Sequence, residues 1–341
     1  MRISVQCDSH FRANGLFSSH PGLNRDNCLE PYHRLRDEAL LRGHSIGTYD
    51  VIDSSQADVV IEIDGYHHDD PACRRGVSYL IALESPIVRP DTATPEFRTR
   101  FHKVFSWRRG DSEAMVPIPI PLAIQPRTSG LPFHQRRLLC LISSNKTSSA
   151  PSSLYRERVR VARWYEARGR QDWGLYGMGW EQGEPLFPAA LERGPFRRLG
   201  SWRRPFVSFQ GAPRTKSEVY STYRFALAYE NCIGFKGYVT EKIFDPMFSG
   251  CIPIYRGAPD ISRFVPADCF IDGNAFDTPS ALDRHLRSID ERRFASFQDA
   301  IARFLSGPDL DPLRCERFAR TVIDVVEAGQ SSPTSASGSG P

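Results

Sequence analysis

The fifty residues from Tyr223 to Asp272, YRFALAYENCIGFKGYVTEKIFDPMFSGCIPIYRGAPDISRFVPADCFID, constrain this chain more than the rest of it. An apolar run of strand length ends in Glu230-Asn231, and a glycine-bearing loop follows. Thr240, a residue type suited to an N-cap, then opens a helical stretch that leads into a second apolar run, Cys251 to Tyr255. Strand, loop, helix and strand in that order collect polar side chains at the carboxyl end of the first strand. In α/β proteins that is where ligands bind.

Composition narrows the field modestly. A chain of 341 residues is long enough for two domains with proper cores, and 25% charged with 40% hydrophobic residues describes a globular body. A net charge of +4 gives no reason to expect a nucleic-acid partner. Lysine is rare: Lys103, Lys146, Lys216, Lys236 and Lys242 are the full set, and three of the five lie in or just before the fifty-residue segment. Eight cysteines occur singly, without a CxxC pair, and read as reduced, mostly buried thiols. The opening MRISVQCDSH lacks a hydrophobic signal region, and no apolar stretch has the length of a membrane span. A cytoplasmic protein is therefore expected, with peripheral membrane contact left open.

Short apolar runs at residues 2–7, Ile46 to Tyr49, Val59 to Ile63, Tyr79 to Leu83 and Val104 to Trp107 read as strands, and Leu29 to Arg42 has helical spacing closed by Gly43. The alternation predicts a parallel sheet in a first, Rossmann-like domain over residues 1–133. Five prolines between Val116 and Phe133 predict a stiff extended connector. A second domain over 134–329 would start with the strand Leu138 to Ile142, a serine-rich loop and a helix from Leu154 to Arg168. It would end in helices interrupted at Gly307-Pro308. The Ser/Gly-rich stretch 330–341 is expected to be disordered.

The pieces AYEN, GYVTEK, CIPIY, RGAPD and VPADCFID resemble, in order and spacing, the signature of the α1,3/4-fucosyltransferases, glycosyltransferase family 10. The resemblance is strongest over residues 216–272 and fair over 84–113, where FSWRRGDSE is similar to a YRRDSD element of that family but departs from it at Gly110 and Glu113. It implies an α/β fold of the GT-B type, two Rossmann-like domains facing across a cleft. It also implies an inverting transfer of L-fucose from GDP-β-L-fucose to a glycan hydroxyl, most often α1,3 to N-acetylglucosamine. A transferase for another GDP-sugar, and a non-catalytic nucleotide-sugar or glycan-binding relative, are the alternatives.

Inverting transfer needs a base, groups that hold the sugar, and positive charge for the departing diphosphate. For the base, Glu84 ends the apolar run YLIALESP, and the family places its proposed base in a similar ESP element; the alternative is a turn cap. For the diphosphate, the candidates are Lys242, beside a helix start capped by Thr240, and Arg156, whose register competes with Arg158 and Arg160. The resemblance assigns Glu241 to the sugar hydroxyls and Asn231 and Tyr238 to the nucleotide or diphosphate. Glu230 either binds ribose or completes a network under the loop, and Lys216 either meets the diphosphate or lies on the surface. Pro246 should kink or shorten the helix beyond its donor-facing end. No metal or other cofactor is expected. The formal DxD at Asp309-Leu310-Asp311 reads as a turn at a helix start, and Glu62 with Asp64, sharing one side of a strand, is a weaker cation candidate beside the polar loop His67-His68-Asp69-Asp70.

Overall fold

A computed structural model describes every residue except 70, 111, 186–202 and 332–341. The chain forms two units, Met1–Ile124 with Leu310–Pro341, and Gln125–Asp309.

Unit 1 contains six parallel strands: β1 (Arg2–Gln6), β2 (Ser45–Thr48), β3 (Val59–Ile63), β4 (Val77–Ala82), β5 (Lys103–Ser106) and β6 (Met115–Pro117). Their spatial order is β2-β1-β3-β4-β5-β6, so the order reverses between β1 and β3. Strand β6 overlaps the start of the stretch expected to be a bare connector. Its pairing of Phe105 with Val116 and Ser106 with Pro117 is compatible with proline because β6 is an edge strand. Helix α1 (Glu30–Leu41) covers one face through Leu35 and Ala39, and the short α2 (Pro95–Arg98) precedes β5.

The expected partition at 133/134 is corrected by the last helix. Helix α8 (Cys315–Ser331) belongs to unit 1, where Phe318, Ala319, Val322, Ile323 and Val326 form one stripe packed into the core with Ile3, Val5, Val59 and Ile61. Each buried Val, Ile or Phe of the stripe contributes about 1.5–3 kcal/mol. Arg42 pairs with Asp324 and Glu327 at 2.7 Å, and His44 meets Glu327 at 2.8 Å. The expected tail lies outside the described residues from 332 onward, and Gln330 and Ser331 still belong to α8.

Unit 2 holds β7 (Arg137–Ile142), β8 (Trp173–Tyr176), β11 (Tyr223–Tyr229), β12 (Ile252–Arg256) and β13 (Ile271–Asp272), all parallel, in the order β13-β12-β11-β7-β8. A separate antiparallel pair joins β9 (Glu184–Pro185) to β10 (Arg203–Arg204). Helices α3 (Tyr155–Glu166), α4 (Lys216–Tyr220), α5 (Glu241–Phe248), α6 (Pro279–Ser288) and α7 (Glu291–Ser306) complete the unit. Here the strand order reverses between β7 and β11, which puts the carboxyl end of β11 at a topological switch point.

Candidate active site

The polar string that follows β11 in the sequence folds into one cluster at that switch point. Glu230 directly follows β11, has 0% exposure, and accepts hydrogen bonds from Thr240 through both its backbone N–H and its hydroxyl, each at 2.8 Å. Thr240 in turn caps α5 by accepting from the Lys242 N–H. Lys242 Nζ lies 3.1 Å from the Thr240 hydroxyl, 3.5 Å from Glu230 and 3.6 Å from Glu241. Burial pushes the Glu230 carboxyl up and Lys242 works against it. Burial would likewise depress the Lys242 ammonium, but Glu241 and Glu230 outweigh it and raise its pKa.

Of the two readings of Glu230, this arrangement matches the network under the loop. With no exposed surface and both oxygens taken by Thr240, Glu230 is the strut that ties the end of β11 to the start of α5. Gly257 makes room for it, since a Cβ there would stand 2.5 Å from Glu230 Cγ. The Thr240 side chain is consumed in the same strut and cap. Tyr238 is 2% exposed, so its ring is not free to stack on a nucleotide; its hydroxyl accepts from Asn231 Nδ2 at 3.3 Å. Tyr255 latches the two signature loops, donating to the Tyr238 carbonyl and accepting from the Ala258 N–H.

Glu241 is the carboxylate of this group that meets solvent, with 46% of its side chain exposed. Desolvation would raise its carboxyl, but the Lys242 and Lys216 ammonium groups, both within 4 Å, bring it down to about 2. Lys216 donates to Asp245 at 2.6 Å, one turn further along α5, so it is held against the acidic face of that helix. The helix stays short: Pro246 has no N–H to give, and Gly250, at φ +66°, turns the chain where a Cβ would meet the Ser129 carbonyl at 2.6 Å.

On α3 the structure resolves the arginine register differently from the sequence. Arg156 is exposed and makes no hydrogen bond or ion pair among the described residues. Arg158 is 3% exposed, donates to the Tyr229 carbonyl at 2.7 Å and to Asn231 Oδ1 at 3.2 Å, and lies over the Tyr155 ring. The signal was present in the sequence: Arg158 shares the buried stripe of α3 with Tyr155, Val161, Ala162 and Tyr165, and Arg156 does not. The cluster at β11 therefore contains Arg158, Lys242, Lys216, Asn231, Tyr238 and Glu241, built on Glu230 and Thr240.

In unit 1, Glu84 lies just past β4 and is half-buried. Its Oε2 accepts from the Ser85 N–H at 3.3 Å, and Oε1 has no hydrogen-bond partner among the described residues. The two carboxylates considered for a shared cation have separate partners. Glu62 is ion-paired with Arg74 at 2.6 Å, whereas Asp64 accepts from the backbone of Leu83 and Glu84. Arg74 also pairs with Asp69, while Asp70 lies outside the described residues. Asp311 of the DxD lies in the 3-10 turn Pro308–Leu313 and pairs with Arg314 just beyond it. No helix among the described residues is long and apolar enough to cross a membrane.

Two doubly wound units, each built on a parallel main sheet, are the fold of the GT-B glycosyltransferases. A crystal structure of an α1,3-fucosyltransferase aligns with a TM-score of 0.54 at 14% identity, covering 95% of this chain and 89% of that one. The same enzyme type solved with GDP-fucose aligns at 0.53, also at 14% identity, covering 96% and 90%. Likeness at that identity speaks to fold. Residues 201–299 match the family model "Glycosyltransferase family 10 (fucosyltransferase) C-term". The 4-galactosyl-N-acetylglucosaminide 3-α-L-fucosyltransferase 9 of Mus musculus is 36% identical over 73 residues, 21% of this chain and 20% of that protein. An α-(1,4)-fucosyltransferase of Arabidopsis thaliana is 39% identical over 71 residues, 21% and 18%. The aligned stretch thus spans about a fifth of the curated relatives' length. Residues 201–299 thus resemble the C-terminal part of the glycosyltransferase family 10 enzymes.

Proposed function

We propose that this protein is an inverting fucosyltransferase that moves L-fucose from GDP-β-L-fucose to a glycan hydroxyl, forming an α1,3 link to N-acetylglucosamine. The observation that carries the reading is the cationic cluster at the β11 switch point, where Lys242 and Arg158 flank the amino end of α5 beside the cluster's solvent-facing carboxylate, Glu241. A diphosphate suits that place, because the positive end of the helix dipole reinforces the two side-chain charges. Glu241 suits sugar hydroxyls, since an ionised carboxylate accepts more than one hydrogen bond.

In this reading Glu84 takes the proton of the acceptor hydroxyl as its oxygen bonds to the anomeric carbon. The bond from that carbon to the β-phosphate oxygen breaks on the opposite face, so the β-linked donor yields an α-linked product. The pair of electrons leaves with GDP; Lys242 and the helix terminus meet that charge, and the buried Arg158 guanidinium adds its positive field from behind them, with no metal or other cofactor assigned a part. Six buried and two exposed cysteines, none in a disulfide, support a reducing, cytoplasmic location.

The test is Glu84→Gln, assayed with GDP-fucose and a 4-galactosyl-N-acetylglucosaminide acceptor in the presence of EDTA. Loss of a general base lowers turnover by about 10²–10⁴-fold, and GDP-fucose binding should persist. Full turnover in the variant would remove Glu84 from the mechanism, and turnover with GDP-mannose instead of GDP-fucose would move the donor assignment to another GDP-sugar.

A further inference from the structure

Asp64 stands one residue past β3, at the place in unit 1 where the strand order reverses. Its backbone is in the left-handed region, φ +50°, a conformation that aspartate tolerates better than most residues and that still costs energy. Its own N–H donates to the Ile81 carbonyl at 2.7 Å, which turns the side chain toward the residues that follow β4. There a single oxygen, Oδ1, accepts two backbone hydrogen bonds, from Leu83 at 2.8 Å and from Glu84 at 2.9 Å.

Those two N–H groups lie past the end of the β3–β4 ladder, whose last pair is Ile63 with Ile81. Side chains take over where the ladder stops. Ser106 Oγ donates to the Ala82 carbonyl and Trp107 Nε1 donates to the Leu83 carbonyl, each at 3.0 Å. Asp64 and Trp107 therefore grip the peptides on either side of Leu83, one through its donors and the other through its acceptor. Asp64 is 8% exposed, and Glu84, Arg89 and Tyr32 are the titratable groups that face it.

We propose that Asp64 is the positioning residue for Glu84: by clamping the Leu83 and Glu84 N–H groups on one carboxylate oxygen, it fixes the peptide from which the base projects. This rests on the reading of Glu84 as the base. A shift of about 1 Å in a catalytic group lowers turnover by about 10²-fold, so the clamp acts on kcat, while donor binding, built in unit 2, is left alone. An amide oxygen at the same place accepts the same two N–H groups, whereas a methyl group accepts neither.

The experiment compares Asp64→Ala, Asp64→Asn and Glu84→Gln in the full chain, with GDP-fucose and the 4-galactosyl-N-acetylglucosaminide acceptor. Melting temperature and GDP affinity are measured on each. Asp64→Ala should lose about 10²-fold in kcat with GDP affinity unchanged, and Asp64→Asn should recover most of that loss. If Glu84→Gln is inactive but Asp64→Ala turns over like the parent, the positioning role fails while the base assignment stands. If Glu84→Gln itself remains active, the base assignment fails first. Equal loss in Asp64→Ala and Asp64→Asn, with both folded, would also overturn the clamp, because the shared acceptor geometry would then not be what matters. Should Asp64→Ala not fold, Trp107→Phe releases the Leu83 carbonyl from the other side, and an unchanged kcat in that variant would count against the proposal.

Discussion

The strut between Glu230 and Thr240 can be measured as a coupling energy. An ionised carboxylate buried without exposure accepts two hydrogen bonds of 2.8 Å, one from the Thr240 N–H and one from its hydroxyl. A hydrogen bond to a charged acceptor contributes about 1.5–3 kcal/mol and one between neutral groups about 0.5–1.5 kcal/mol. Glu230→Gln keeps the shape and removes the charge; Thr240→Val keeps the shape and removes the hydroxyl. In the parent, Thr240→Val forfeits the charge-assisted bond and the α5 cap, the latter about 1 kcal/mol. In the Glu230→Gln background it forfeits only a neutral bond and the same cap. The difference is a coupling of about 1–2 kcal/mol, within the range found for residues in one network. Urea unfolding of the four proteins at pH 8 reads it out, followed by tryptophan fluorescence, which Trp164, Trp173 and Trp180 weight toward unit 2. Additivity within about 0.5 kcal/mol would refute the strut. So would a Glu230→Gln protein of parental stability that no longer binds GDP, because Glu230 would then be touching the nucleotide itself.

Two further outcomes are expected. Arg156→Ala should leave GDP affinity where it is, whereas Arg158→Lys and Lys242→Ala should each weaken it by about tenfold, equivalent to about 1.4 kcal/mol; isothermal titration with GDP decides, and the reverse ranking of the two arginines would return the diphosphate role to Arg156. The second concerns pH. Burial raises the Asp64 carboxyl to about 6 from its ordinary value of 3.8, so between those values the folded chain holds a proton that the unfolded chain has released. Stability from this group therefore falls as pH rises through that window, and above pH 6 the full cost, about 3 kcal/mol, is present. Asp64→Asn has no proton to lose, so its urea midpoint should gain on the parent between pH 4 and pH 6 and keep that gain at pH 8. Parallel pH profiles would contradict the burial account.

What the sequence made legible and what it hid divide along a physical line. The strands, the switch-point unit and the capped start of α5 are local: apolar runs, a threonine before a helix and a glycine after it act through neighbours in the chain. The return of α8 to unit 1 was not local, because an amphipathic stripe states that a helix has a partner without saying which sheet it covers. The polar residues follow the same rule. Glu230, Glu241 and Lys242 sit within a dozen residues of one another, and the sequence places all three at the site but does not reveal that one is sealed beneath and one exposed.

Asp64 shows the limit most clearly. In the string EIDGYHH it reads as a turn aspartate before glycine, a reading that its left-handed φ satisfies. Its partners are nineteen and twenty residues away, just past the end of the strand beside it, and are backbone groups that carry no residue identity. No local pattern could have tied it to Glu84. Asparagine would take the same φ and accept the same two bonds without the cost of burying a charge, so Asp64→Asn tests the acceptor geometry apart from the charge.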